Sequence, residues 1–421
     1  MESAREAGAV GRLVGDGLAG VVAVVRDTHR AISDRAFDAV GPVSRPVRAV
    51  HDAVTGGVYA IVRAAHATIP RLIGTTVEHG WRPEKSPLSG SPAGRVTLGV
   101  VNGIWGDTLD ARHPDLATPM ALRARDADVQ PTAEDLRAAF PAATPRIVVF
   151  VHGLCETEDH WSLAADRHHG VAGTTLGSRL RREFGYTPVY LRYNTGLHVS
   201  DNGRRLAALL EEVSTAWPVP VREISLIGHS MGGLVIRSAG QQAAGAGHRW
   251  AHAVRNVVFL GTPHLGAPLA RGVHRVAWLL ARFPESRPIG ELLRRRSAGV
   301  QDLAYGNLVE ADWRAADPAA LPSDTCTDVP FLPGAHHYFI GATLGGRPHD
   351  PLAAVVGDLL VPFSSAAGRG DRRRLPFPAG NGRHLGGLHH LDLLNHPAVH
   401  DQVCAWLAAP AAQPEGDEAS R

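Results

Sequence analysis

The sequence is almost without lysine and carries little net charge. Lys85 is its only lysine, and arginine supplies the other basic side chains. The 43 basic residues (Lys and Arg) are nearly matched by 41 acidic ones, for a formal net charge of +2. Nucleic-acid-binding domains instead concentrate positive charge on one face or stripe. The composition therefore gives no indication of a nucleic-acid partner, and we interpret the preference for arginine as a genome-wide coding bias.

Cysteine and long apolar runs are also scarce. The three cysteines, Cys155, Cys326 and Cys404, lie far apart, which indicates no disulfide framework and fits a reducing compartment. No segment approaches the ~20 apolar residues that cross a bilayer, and the first residues lack the basic and apolar regions of a secretion signal. From these absences we expect a cytoplasmic protein without a transmembrane span.

Histidine is abundant, yet its pattern does not indicate a metal site. Adjacent pairs occur at 168–169, 336–337 and 389–390. None has the H-E-x-x-H spacing that places two ligands on one helical face, and no cysteine pair completes a zinc set. We expect neither a metal nor another cofactor to be required.

The most informative segment is Gly-His-Ser-Met-Gly at 228–232, directly after the apolar run 224–227. A glycine on each side of a serine, between a strand and a helix, is typical of a nucleophile elbow. Gly228 and Gly232 lack the Cβ atoms that would collide where the chain doubles back. The pattern predicts that Ser230 stands in a strained turn with its hydroxyl exposed for chemistry.

A second strand ends in a candidate oxyanion loop. The continuous apolar run at 146–151 is typical of a buried parallel strand, and His-Gly-Leu follows at 152–154. An acyl-transfer site needs two backbone N–H groups to stabilise the tetrahedral oxyanion. One comes from the residue after the nucleophile and the other from such a loop. Met231 and Leu154 are the predicted donors.

A serine nucleophile also needs a histidine that accepts its proton and a carboxylate that orients the imidazole. Asp358 follows a late strand-like segment at 338–342 and a short insertion. His389 and His390 lie in the last histidine-bearing turn before the C-terminal helix. One of these two histidines is the expected base.

Six segments follow one another along the chain: 152–154, 192–196, 228–232, 260–266 (Leu-Gly-Thr-Pro-His-Leu-Gly), Asp358 with 361–362, and His390 with Leu391. In this order they resemble the α/β-hydrolase superfamily and, within it, bacterial lipases and esterases. The resemblance implies a mostly parallel central sheet flanked by helices, with the chain order Ser, Asp, His. It favours His390 over His389 as the base, since the catalytic histidine of those lipases is typically followed by a bulky apolar residue.

Three other aspartates compete with Asp358 for the acidic role. Asp350 lies in a Gly- and Pro-rich stretch and is most simply a turn residue. Asp392 lies two residues beyond His390, where a role in capping the final helix fits better. Asp324 is the third alternative. The resemblance, rather than the spacing, favours Asp358.

The remaining regions predict a helical appendage and a cap. Helical spacing of apolar residues over 1–80 predicts an N-terminal helical hairpin, joined by a linker at 81–94 to a hydrolase domain at 95–410. Within that domain, 120–123 is a candidate early strand, and an insertion at approximately 268–330 is predicted to form a helical cap. A disordered tail is expected at 411–421. The hairpin must bury its apolar face, and we expect packing within the chain, the alternatives being a lipid surface or a second subunit.

These features predict a serine hydrolase that cleaves carboxylic esters of small-molecule or lipid substrates through an acyl-enzyme. Two other classes stay open. An acyltransferase would use the same three residues with an acceptor other than water. A lipid-binding or scaffold protein would keep the fold without catalysis, although the intact Ser, Asp and His argue against it.

Overall fold

The computed structural model describes eight stretches of chain, together with Arg45, Arg48 and Asp52 as single helical positions. The N-terminal hairpin, most of the linker and the C-terminal tail otherwise lie outside the described residues. The same holds for most of the predicted cap, and the domain boundaries stay predictions. The described stretches are 92–112, 117–124, 127–171, 173–267, 296–314, 326–345, 357–371 and 373–408.

Eight strands form one sheet in the order β2-β1-β4-β3-β5-β6-β7-β8. β1 pairs antiparallel with both of its neighbours, and every other pair is parallel. The strands are β1 Ala121–Ala124, β2 Ala127–Val129, β3 Arg146–Val151, β4 Thr187–Arg192, β5 Glu223–His229, β6 Val254–Leu260, β7 His336–Thr343 and β8 Gly382–Gly386.

Helices cover both faces of the sheet. α5 and α6 pack on one face through leucines such as Leu210 and Leu234, while α4 and α11 pack on the other through residues such as Leu180 and Val403. No helix in the described stretches is long and apolar enough to cross a membrane. The described helices are α1 Pro92–Arg112, α2 Ala133–Ala139, α3 Ala165–His169, α4 Leu176–Phe184, α5 Val199–Ala216, α6 Met231–Ala246, α7 Trp250–Ala253, α8 Ala298–Tyr305, α9 Ala311–Arg314, α10 Phe363–Ala366 and α11 Pro397–Ala408.

This architecture confirms the predicted α/β-hydrolase fold, a mostly parallel sheet between two layers of helices with a serine at a strand-to-helix turn. The central strands are apolar along their whole length because both faces of the sheet are buried. The residues of β3 from Ile147 to Val151 accordingly contribute side chains to both hydrophobic cores.

One edge of the sheet collects the segments singled out in the sequence. Val151 at the end of β3 is in register with Gly228, and His229 at the end of β5 is in register with Leu260 at the end of β6. The backbone N–H of Ser230 donates to the carbonyl of Leu260 at 2.8 Å. The loops that follow these three strands therefore meet at the carboxyl edge of the sheet, where α/β folds usually bind ligands.

The chain ahead of the sheet forms a helix that is not predicted from the sequence, with non-helical backbone at Trp105. A 21-residue helix, α1, precedes the sheet and begins within the predicted linker. Its packing explains why it lies there: a side chain at Gly103 would collide with Cys155, and one at Gly106 would collide with Asn194. Glycine spacing in α1 thus permits close approach to the loops at the carboxyl edge, a tertiary contact that local apolar patterning does not reveal.

Candidate active site

Ser230 occupies a sharp turn between β5 and α6, with φ 52° and ψ −124°. A positive φ is uncommon for a residue with a side chain and stores strain that the surroundings must hold. A Cβ on Gly228 would lie 2.6 Å from the N atom of Gly233, and one on Gly232 would lie 2.5 Å from the carbonyl O of His152. Glycine is therefore required on both sides of Ser230, in agreement with the elbow pattern.

Asp358 and His390 form a buried carboxylate–imidazole pair. Nδ1 of His390 lies 2.7 Å from Oδ2 of Asp358, and both side chains are at most 4 % exposed. Burial alone would lower the pKa of His390, but the charge of Asp358 and the hydrogen bond to it outweigh burial and raise that pKa above 6.5. Nε2 of His390 is buried and has no hydrogen-bond partner among the described residues, Ser230 included, which leaves it available to a reacting hydroxyl.

A tight turn holds the Asp358 carboxylate in place. Its Oδ1 accepts hydrogen bonds from the backbone N–H groups of Leu360 at 3.1 Å and Val361 at 2.9 Å. Gly357 and Leu359 both have positive φ, at 56° and 90°. The carbonyl of Asp358 also accepts the backbone N–H of His390 at 3.0 Å, so the acid and the imidazole are joined through the main chain as well.

The imidazole of His390 lies beside the loop that follows β6. A Cβ added to Gly261 would lie 2.9 Å from Cε1 of His390, so this position leaves room only for hydrogen. His229, the residue before Ser230, has its ring centroid 4.7 Å from that of His390. The His390 ring therefore lies between the elbow and Gly261.

His389, the alternative base, is positioned differently. Its side chain is 51 % exposed, and its Nε2 lies 3.2 Å from Asp392. Asp392 also accepts the backbone N–H of His389 at 3.0 Å, which caps the 3₁₀ turn His390–Leu394 ahead of α11. The structure thus brings His390, and not His389, to Asp358, and Asp392 is used in capping. Of the other competing acids, Asp324 and Asp350 lie outside the described residues.

The predicted oxyanion loop lies against the elbow. A Cβ on Gly153 would be 2.9 Å from Cβ of Ser230, so the backbone of the loop passes directly beside the serine. Met231 is the first residue of α6, where a backbone N–H has no acceptor within the helix. The N–H of Leu154 likewise has no acceptor among the described residues. Both predicted donors are therefore unoccupied near Ser230.

A second buried carboxylate–imidazole pair was not foreseen. Glu156, two residues beyond Leu154, accepts the backbone N–H of Gly153 at 2.7 Å and lies 2.8 Å from Nδ1 of His229. The sequence shows only that an acidic residue follows the His-Gly-Leu segment. That this residue is buried beside the elbow depends on the tertiary structure. No group of three or more His, Cys, Asp or Glu side chains in the described stretches is arranged to hold a metal ion.

Comparison with known sequences gives a limited result. A model for a domain of unknown function (DUF7379) matches residues 117–285, which is less than half of the chain. That segment includes the oxyanion loop and the elbow, whereas Asp358 and His390 lie beyond it. No curated protein matches the sequence.

Several solved structures are distantly similar. A Bacillus licheniformis lipase in its propeptide form is 22 % identical over 65 % of this chain and 52 % of its own, with a TM-score of 0.43. A Pyrobaculum calidifontis esterase is 15 % identical over 77 % and 94 %, with a TM-score of 0.37. The Legionella pneumophila phospholipase PlaB is 14 % identical over 62 % and 59 %, with a TM-score of 0.34. This chain thus spans about half of the propeptide-form lipase, and the sheet topology, rather than these similarities, establishes the fold.

Proposed function

We propose that this protein is a serine hydrolase that cleaves carboxylic esters through an acyl-enzyme intermediate. One observation carries the proposal. His390, paired with Asp358, presents an unpartnered Nε2 in a site that also contains Ser230 on a strained elbow. A nucleophile, a base and a group that orients the base are the parts that acyl transfer by serine requires.

In the first half-reaction, Oγ of Ser230 attacks the ester carbonyl carbon while Nε2 of His390 accepts the hydroxyl proton. Asp358 keeps the proton of the neutral imidazole on Nδ1 and stabilises the imidazolium that forms. The N–H groups of Leu154 and Met231 stabilise the oxyanion of the tetrahedral intermediate. His390 then protonates the leaving alcohol, and the acyl group stays on Ser230.

In the second half-reaction, His390 takes a proton from water as the water oxygen attacks the acyl carbon. The imidazolium then returns this proton to Oγ of Ser230 as the acyl–Oγ bond breaks, which releases the acid and restores the serine. An acyltransferase would differ only in the acceptor at this step, and a scaffold would use neither step. The strain at Ser230 and the buried charge at Asp358 are costly features that a scaffold does not need. Hydrolysis of a small-molecule or lipid ester is the function that these features support best.

The test is hydrolysis of p-nitrophenyl esters from acetate to palmitate, together with labelling by a fluorophosphonate. Wild-type protein is expected to turn over at least one ester and to be labelled, and Ser230→Ala to lose both. Ser162→Ala, which removes the hydroxyl of an exposed serine, is the matched control and should keep both. A wild-type protein that neither hydrolyses nor is labelled would contradict the proposal. Faster transfer to an added alcohol than to water would favour the acyltransferase.

A further inference from the structure

The Glu156–His229 pair joins three parts of the candidate site. The carboxylate of Glu156 accepts the N–H of Gly153 in the oxyanion loop at 2.7 Å. Nδ1 of His229 lies 2.8 Å from Oε1 and 3.0 Å from Oε2 of the same carboxylate. Nε2 of His229 lies 3.2 Å from the carbonyl oxygen of His390. One buried pair therefore contacts the oxyanion loop, the residue before Ser230 and the backbone of the proposed base.

The partners of His229 determine its protonation. A carbonyl oxygen can only accept a hydrogen bond, and an ionised carboxylate can only accept as well. Both ring nitrogens of His229 face such acceptors, and both can donate to them only in the imidazolium form. Burial alone would raise the pKa of Glu156. The charge and hydrogen bond of His229, together with His160 and the Gly153 N–H, outweigh burial and lower that pKa to about 2.

Two other histidines, His152 and His160, lie near the Glu156–His229 pair. His152 is the other buried histidine of the loop, and burial lowers its pKa to about 4, so it is neutral at pH 7. His160 accepts the N–H of Thr157 through Nδ1 at 3.1 Å. His229 is the imidazole in direct contact with the Glu156 carboxylate, at 2.8 Å. Without it, a buried negative charge would lie next to the loop that must stabilise an oxyanion.

We propose that Glu156 and His229 form an ion pair that positions the oxyanion loop and His390, which makes both of them positioning residues for the proposed reaction. Because Glu156 occupies the Gly153 N–H, the following peptide is held with the Leu154 N–H free for the oxyanion. Because His229 neutralises Glu156, the negative charge that develops on the carbonyl oxygen of the ester is not repelled by an unpaired carboxylate. The inference rests on the proposed ester hydrolysis for its kinetic consequence, whereas the charge state of the pair does not depend on it.

The kinetic test is a double-mutant cycle on an ester that the wild-type protein hydrolyses. Glu156→Gln keeps an acceptor for Gly153 but removes the charge, and we expect kcat to fall about 10- to 100-fold, since small displacements of reacting groups cost that much. His229→Gln leaves Glu156 without its counter-ion, and we expect a larger loss, of about 100- to 1000-fold. In both, KM should change by less than about threefold, because the groups act on the transition state.

The double variant Glu156→Gln/His229→Gln provides the decisive comparison. Two neutral amides leave no unbalanced buried charge, so the double variant should be more active than His229→Gln alone. Two residues that act independently would give losses that multiply, and a multiplicative result would overturn the proposal that they act as a pair. Glu183→Gln, the same exchange at a partly exposed carboxylate on α4, is the control and should leave kcat unchanged.

The charge state is measured separately on wild-type protein by ¹⁵N NMR of its histidines. His229 should show two protonated ring nitrogens at pH 7, and a neutral ring at that pH would overturn the ion pair. This measurement holds even where a variant fails to fold. A wild-type protein that is inactive but carries the imidazolium would refute the proposed function and the kinetic role while keeping the ion pair, so the two failures can be told apart.

Discussion

Two buried carboxylate–imidazole pairs lie at the same edge of the sheet, and they differ in the second nitrogen of the histidine. In Asp358–His390, Nδ1 is held by the carboxylate and Nε2 has no partner among the described residues. In Glu156–His229, the carboxylate also holds Nδ1, but Nε2 faces the carbonyl oxygen of His390. The first imidazole is free to exchange a proton with a substrate or nucleophile. In the second, both nitrogens are used as donors, so the pair acts through position and charge.

The comparison shows that residue type alone does not define a proton-transfer site. Each pair combines an acid and a histidine that are almost completely removed from water. The function of each follows from the partner of one nitrogen atom, which depends on contacts between loops distant in sequence.

Removing the imidazole from the Asp358–His390 pair should have the largest effect. His390→Ala is expected to lower kcat by about 10⁵-fold or more, because the nucleophile then has no base. Ser230→Ala/His390→Ala should be no worse than either single change, since the residues act as one unit. Single-turnover assays of the acyl-enzyme burst measure this. The kcat of His389→Ala should stay within about threefold of wild type. A larger loss of kcat in His389→Ala than in His390→Ala would assign the base to His389.

Converting the acids to amides should have unequal effects. Asp358→Asn removes the group that selects the tautomer of His390, and we expect kcat to fall about 10³- to 10⁴-fold. That loss should exceed the one at Glu156→Gln, since Asp358 contacts the imidazolium that forms during the reaction through a hydrogen bond, whereas Glu156 acts on it through charge alone. Steady-state kinetics on both variants at one pH provide the comparison. Equal losses would mean that the two pairs do not differ in the way described.

A methyl group at Gly153 should disturb the oxyanion loop without touching Asp358. The added Cβ would lie 2.9 Å from Cβ of Ser230 and 2.8 Å from Oε1 of Glu156. We expect Gly153→Ala to lower kcat by about 10- to 100-fold, with folding retained. Gly245→Ala is the matched control, because a Cβ there meets open space on α6. It should leave kcat unchanged and raise stability by up to about 1 kcal/mol, measured by thermal unfolding.

The dependence of kcat/KM on pH should show the smallest difference between the Asp358–His390 and Glu156–His229 pairs. His390 must be neutral to accept a proton, and its pKa is raised above 6.5, so activity should be lost as the pH falls through a value above 6.5. Glu156, with a pKa of about 2, should add no step between pH 5 and pH 9. If kcat/KM fell only below pH 6.5, the result would contradict the geometry of the Asp358–His390 pair. The folding stability contributed by ionised Glu156 is present above its ordinary pKa and should decline as the pH falls toward 2.

Much of the central sheet could be predicted from the sequence. The apolar run at 146–151 coincides with β3, and the expected early strand at 120–123 is displaced by one residue from β1. These segments carry a local signal, since strands buried on both faces must be apolar throughout. Helix α1 is not predicted because the glycines that allow its close packing, Gly103 and Gly106, approach Cys155 and Asn194, which are 52 and 88 residues away in the sequence.

What the sequence determined by itself is the elbow and the fold around it. A serine with glycines two residues away on either side, between an apolar strand and a helix, leaves the backbone few alternatives, because only a glycine lets the chain double back so closely. The tertiary structure alone decided which histidine meets Asp358 and where Glu156 is buried. Adjacent residues such as His389 and His390 point in different directions, and the partner of each is set by packing between chain segments that are more than 30 residues apart in one pair and more than 70 in the other.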